Sequence, residues 1–65
     1  MDKTLFLSLP KQMQVNILKS LLEDDQFGMY MSLSMATLES PSGLPTEVVE
    51  QIFNDHLKSH GVNVF

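Results

Sequence analysis

A chain of 65 residues with a formal net charge of −4 at pH 7 forms one domain at most, and the absence of cysteine excludes disulfides and thiolate metal sites. Its four basic residues are scattered lysines, which make no basic stripe, so we expect no direct binding of nucleic acid. So short a chain buries only about 60% of the surface it exposes when unfolded, which favours completion of the fold by a second copy.

The chain begins with an apolar N-terminal arm over residues 1–9, which ends before Pro10. The arm has no basic region followed by a long apolar one, and the longest uncharged run, 26–38, is too short to cross a bilayer. We therefore expect a cytoplasmic protein with no membrane partner. Two alternatives stay open for the arm: packing on the chain's own core, or packing across a boundary with a subunit or partner.

A first helix is predicted over about 10–23, because proline is favoured in the first helical turn. Apolar residues then recur at helical spacing. The predicted buried row consists of Met13, Ile17 and Leu21, joined by Leu18 and Leu22, with Val15 widening the face.

A second helix is predicted over about 25–39. Three acidic residues, 23–25, are unfavourable at a helix C-terminus, but an Asp there is a good N-cap for the helix that follows. A strand over 29–36 is the alternative, because Met29, Met31, Leu33 and Met35 alternate. We favour the helix, since methionine, leucine and alanine are helix formers and no partner strand is evident. Residues 40–43 are expected to form a turn.

A third helix is predicted over about 45–60, with Gly61 at the position of a C-terminal capping glycine, and a short tail, 62–65, follows. The stretch from Leu44 to Leu57 aligns without gaps on Leu9 to Leu22, at an offset of 35 residues. Both a shared rule for starting amphipathic helices and a true duplication would produce this repeat. The predicted fold class is thus all-α, a small bundle of three helices whose first and third helices pack against their copies in a homodimer.

No catalytic pattern is present. The chain has no cysteine nucleophile, no Gly-x-Ser-x-Gly sequence and no glycine-rich phosphate loop. His56 and His60 have a spacing that can hold zinc, but a closed site usually needs four ligands and no others are evident. We therefore expect a protein that is not an enzyme and that has no cofactor and no metal.

The stretch Leu44-Pro45-Thr46-Glu47 followed by apolar positions and Ile52-Phe53 resembles the opening of an F-box. That resemblance implies docking onto a ubiquitin-ligase adaptor through helices, and it covers about ten residues. In length, acidity and helical pattern, the chain is also similar in type to the small early proteins of lambdoid phages. This second resemblance implies a regulator of host or lysogeny decisions that acts through protein contacts.

The sequence predicts a small non-enzymatic protein-interaction module, a regulator that binds itself and an unidentified protein. An F-box-like docking module and a nucleic-acid-associated regulator are the alternatives. Methionine is flexible and is frequent on surfaces that adapt to partners, although it fills cores more often. The candidate interaction residues are aromatic residues and methionines: Phe6, Phe27, Met29, Tyr30, Met31, Met35, Phe53 and Phe65.

Overall fold

The computed structural model describes residues 2–61 as four helices: α1 (Lys3–Ser8), α2 (Lys11–Glu23), α3 (Phe27–Glu39) and α4 (Thr46–Ser59). The all-α bundle and its three main helices are confirmed, and no residue in the described range is in a strand. The alternation of Met29, Met31 and Met35 therefore lies on a helix. Helix α2 packs against both α3 and α4, and α1 packs against α3.

The predicted N-terminal arm contains a helix that the sequence analysis missed. Asp2 is the N-cap of α1, and its side chain accepts a hydrogen bond from the Thr4 backbone N–H at 3.2 Å. Helix α1 is short, but its Phe6 is 0% exposed and joins the core. Of the two alternatives for the arm, packing on the chain's own core is the one observed.

The core is formed by apolar side chains from all four helices and from the turn before α4. It consists of Phe6, Leu18, Leu21, Leu22, Tyr30, Leu33, Leu44, Val49 and Ile52. Helices α2 and α4 use their apolar faces against each other inside one chain. The expectation that these two faces pack against their copies is therefore replaced by an intrachain contact.

The buried face of α2 differs from the predicted row at its N-terminal end. Met13 is 48% exposed, whereas its neighbour Gln14 is 1% exposed. The Gln14 side-chain Nε2 donates to the carbonyl oxygens of Leu7 at 3.3 Å and Leu9 at 3.1 Å. These bonds satisfy the buried amide nitrogen, whereas the buried Oε1 has no hydrogen-bond partner among the described residues. Carbonyls at the end of a helix need donors from outside it. Gln14 thus joins the end of α1 to α2.

Helix α2 ends close to the predicted break, but the acidic residues have a different role from the one expected. Asp25 has a positive φ of 57°. Its N–H donates to Leu22 O at 3.3 Å, and the Gln26 N–H donates to Leu21 O at 2.9 Å. This is a Schellman motif with aspartate in the position usually held by glycine. Asp24 and Asp25 therefore close α2, and Gln26, without a side-chain bond, is the N-cap of α3.

We expect Asp25→Gly to raise the free energy of unfolding by about 0.5–1 kcal/mol, because glycine adopts a positive φ without a Cβ penalty. Urea unfolding followed by circular dichroism would measure the change. Asp25→Asn is the control, since it removes the charge near the C-terminus of α2 but keeps the side chain. If the glycine variant were no more stable than the asparagine variant, the backbone argument would be wrong.

The two Leu-Pro pairs stand at equivalent places, since Pro10 and Pro45 are the N-caps of α2 and α4. Each proline lies just outside its helix, and its carbonyl accepts a bond from the first turn, as Gln14 N to Pro10 O at 3.1 Å and Val49 N to Pro45 O at 3.3 Å. At the other end of α4, Gly61 has a φ of 79° and caps the helix as predicted. Val62 and the rest of the predicted tail lie outside the described residues.

Candidate functional site: an apolar groove between α3 and α4

Helix α3 exposes large apolar residues beside a nearly uncharged surface. It has no charged residue before Glu39, and Asp25 is the nearest charge on its N-terminal side. The side that faces the core buries Tyr30, Leu33, Ser34 and Thr37. Four large apolar residues, Phe27, Met31, Met35 and Leu38, are exposed on the flank beside α4, and Met29 is exposed on the other flank. Large apolar residues on a helix are normally covered by other protein, so the flank of α3 beside α4 is an uncovered apolar surface.

A groove of about 520 Å³ lies along this surface, between α3 and α4. It is open because both helices pack on α2 while they approach each other at few points. Its lining is mostly apolar, with one charged group. The lining residues are Phe27, Tyr30, Met31, Ser34, Met35, Leu38, Val49, Glu50, Phe53 and Asn54. In size and polarity it matches a recognition groove for a helix or a small apolar group.

Three aromatic rings form one end of the groove. The ring centroids are 6.2 Å apart for Phe27 and Tyr30, 6.1 Å for Tyr30 and Phe53, and 6.0 Å for Phe27 and Phe53. These separations are typical of favourable aromatic pairs. Because the rings pack on one another, they form a rigid apolar wall on which Phe27 remains half exposed.

Tyr30 is the only tyrosine in the chain, and it links α3 to α4. Its side chain is buried, and its hydroxyl donates to the backbone carbonyl of Val49 at 3.3 Å. Burial raises the pKa of Tyr30 above its ordinary value of 10.0, because tyrosinate would lose its hydration there. The neutral hydroxyl is therefore the form that the fold accommodates.

The stability of the fold is expected to fall at alkaline pH because of Tyr30. The folded pKa of Tyr30 is higher than the unfolded one, so its contribution to stability is complete below pH 10.0 and is lost as the pH rises through the folded pKa. Ultraviolet titration of the single tyrosinate would give that pKa, and urea unfolding at several alkaline pH values would give the loss. Tyr30→Phe should cost about 1 kcal/mol at neutral pH and remove the tyrosine part of the alkaline loss. A tyrosine that titrates at its ordinary pKa in the folded protein would contradict the argument.

The groove brings together five of the predicted interaction residues: Phe27, Tyr30, Met31, Met35 and Phe53. Met29 is exposed but does not line the groove, and Phe65 lies outside the described residues. Phe6 is placed wholly inside the core, because α1 turns its aromatic side chain onto α3. It has no surface to offer a partner in this structure.

Sequence reasoning did not assign Leu38, Val49, Glu50 and Asn54 to the interaction surface. A signal for Leu38 was present, since residues 27, 31, 35 and 38 follow one row along a helix. The residues of α4 carried no such signal, because the groove depends on how far α3 and α4 diverge.

The two histidines lie next to each other, with ring centroids 4.4 Å apart. Residues 2–61 contain no group of three or more side chains suited to holding a metal ion. His56 is half-buried on α4, and His60 is the exposed C-cap of that helix.

Comparisons of the chain with protein families, curated proteins and solved structures find no match. Among the helices of residues 2–61, none has the length and apolarity needed to cross a membrane. The function must therefore be argued from the groove itself.

Proposed function

We propose that this chain is a non-enzymatic protein-interaction module and that the groove between α3 and α4 is its binding surface. The observation that carries the proposal is the uncharged outer side of α3, which leaves Phe27, Met31, Met35 and Leu38 exposed in one row. Contiguous apolar surface of this kind on a small soluble protein usually marks an interface.

The composition of the groove also supports a protein partner. Aromatic residues and methionines are enriched at the centres of protein interfaces, where charged residues are depleted. Three aromatic residues and two methionines line the groove, and Glu50 is its one charged residue. Methionine side chains adjust to different shapes, which suits a regulator that contacts more than one protein.

The function is tested by photo-cross-linking at single positions in cells of the source organism. Benzoylphenylalanine replaces Met35, which is 54% exposed in the groove, or Met13, which is 48% exposed on α2 and outside it. We expect covalent protein adducts from position 35 and few from position 13. The two sites have matched exposure, so equal yields would mean that the groove is not a binding surface.

Self-association, which the sequence predicts, would use the same surface. The chain has a small core, and α2 and α4 already use their apolar faces on each other. Of the seven large apolar residues that residues 2–61 leave exposed, five belong to α3, which is where the self-association expected from the sequence would occur.

A further inference from the structure

The four exposed residues of the groove on α3 form a straight row. Phe27, Met31, Met35 and Leu38 stand at intervals of four, four and three residues, and each is between 41% and 54% exposed. Side chains at these intervals lie above one another on a helix. We propose that a second copy of this chain covers the row, with the two α3 helices antiparallel about a twofold axis. This inference rests on the proposed function, because it names the occupant of the same groove.

Charge directs a second copy to this surface rather than to the others. Each chain carries a net charge of −4, so two copies repel each other through most of their surfaces. Helix α3 carries no charge between Asp25 and Glu39. Two copies can approach along residues 26–38 without like charges between them, and like charges meet only at the ends, where Glu39 of one α3 comes near residues 23–25 of the other. Glu50, which lines the groove, then faces the uncharged part of the other copy's α3. The α3 helix of a second copy also supplies an apolar row, which fits a groove whose lining is mostly apolar.

The available area is consistent with a dimer of moderate affinity. If each side chain has about 200 Å² of surface when free, the row exposes on the order of 350–400 Å². A standard interface buries about 800 Å² per partner. The row thus supplies about half of that area, as in the smaller interfaces of weak, reversible complexes. We expect a dissociation constant in the micromolar range.

The acidic residues that precede α3 favour one relative direction of the two α3 helices. Glu23, Asp24 and Asp25 precede α3 directly. Parallel α3 helices would place the two triplets side by side. Antiparallel helices separate the two triplets by about 20 Å, the length of 13 residues at 1.5 Å each, which exceeds the screening length of about 8 Å at physiological ionic strength. Each triplet then has only the single Glu39 of the other protomer near it, so the antiparallel arrangement has fewer like-charge contacts. In the antiparallel arrangement, Met31 of one protomer lies beside Met35 of its partner, and Phe27 lies near Leu38.

Sedimentation equilibrium of the full chain over a wide concentration range tests whether a second copy occupies the groove. We expect the dimer to weaken at least 100-fold in Met35→Glu and to be unchanged in Met13→Glu, a matched substitution of an exposed methionine. Circular dichroism checks that both variants are folded, and Met31→Lys repeats the test at a second position. A native chain that stays monomeric at 100 times the expected constant would overturn the inference, and so would equal weakening by the two glutamates.

Single cysteines test the orientation, because the chain has none of its own. A mixture of Met31→Cys and Met35→Cys chains should form mixed disulfides faster than either chain forms symmetric ones. Four residues span about 6 Å along a helix, so a parallel pair would reverse this preference and overturn the antiparallel arrangement.

Different results would refute the binding function of the groove and its occupation by a second copy. A monomeric chain whose position 35 is cross-linked to a different protein would refute the second copy and leave the binding function standing. A dimer that Met35→Glu does not weaken, together with the absence of adducts at position 35, would refute both.

Discussion

Replacing Phe6 with alanine is expected to lower the free energy of unfolding by about 3–5 kcal/mol, the usual cost of truncating a fully buried aromatic side chain. Phe6 is 0% exposed and is the buried residue of α1. For a domain of 65 residues, this loss is a large fraction of a total stability of about 3–10 kcal/mol. Thermal and urea unfolding of the purified variant would measure it.

The adjacent residue supplies the control. Leu5 lies on the same helix but is more than half exposed, so Leu5→Ala should change the stability by no more than about 0.5 kcal/mol. If both alanine variants had the same small effect, α1 would not be packed on the core. Phe6 would then be free to contact a partner, as the sequence analysis expected.

Gly43→Ala is expected to destabilise the fold by about 3 kcal/mol, near the upper limit of what overpacking usually costs. A Cβ at Gly43 would overlap the carbonyl oxygen of Thr37 and would lie 2.7 Å from its carbonyl carbon. These are backbone atoms at the end of α3, so the loop must move for the side chain to fit. The shift in melting temperature would be about 15 °C for a domain of this size.

Gly28→Ala is the matched control for this substitution. A Cβ at Gly28 meets nothing within 4 Å, and alanine is favoured over glycine in a helix by up to about 1 kcal/mol. The same change should therefore stabilise the protein slightly at position 28 and destabilise it strongly at position 43. Two alanine variants with equal melting temperatures would show that the loop does not approach Thr37 as closely as described.

The sequence predicted the three main helices because their signals are local. Pro10, Pro45 and Gly61 mark ends, and the apolar periodicity marks faces, so the bounds agree with the structure to within about two residues. Helix α1 was missed because six residues are too few to show a period, and its stability comes from the burial of Phe6. The sequence did not predict that Gln14, and not Met13, is buried on α2. Gln14 is a polar residue that is buried because it bonds to carbonyls of the preceding segment, and sequence periodicity cannot locate such bonds.

The candidate site was predicted in part for the same reason. Phe27, Met31 and Met35 stood out as apolar residues in an uncharged segment, a property of the chain itself. The groove also requires Val49, Glu50 and Asn54 of α4. Their proximity to α3 depends on the way both helices pack on α2, which is a tertiary property.

The link between Gln14 and the end of α1 sets an order in which the molecule opens. An isolated helix of six residues is unstable in water, so α1 persists only while α2 presents the Gln14 amide and α3 covers Phe6. We expect α1 to fold last and to detach first, as a cooperative unit smaller than the whole domain. In amide hydrogen exchange, Phe6 and its neighbours should therefore exchange before the central turns of α2. Such an opening would uncover the inner side of α3 and expose a second apolar surface while the rest of the bundle stayed folded.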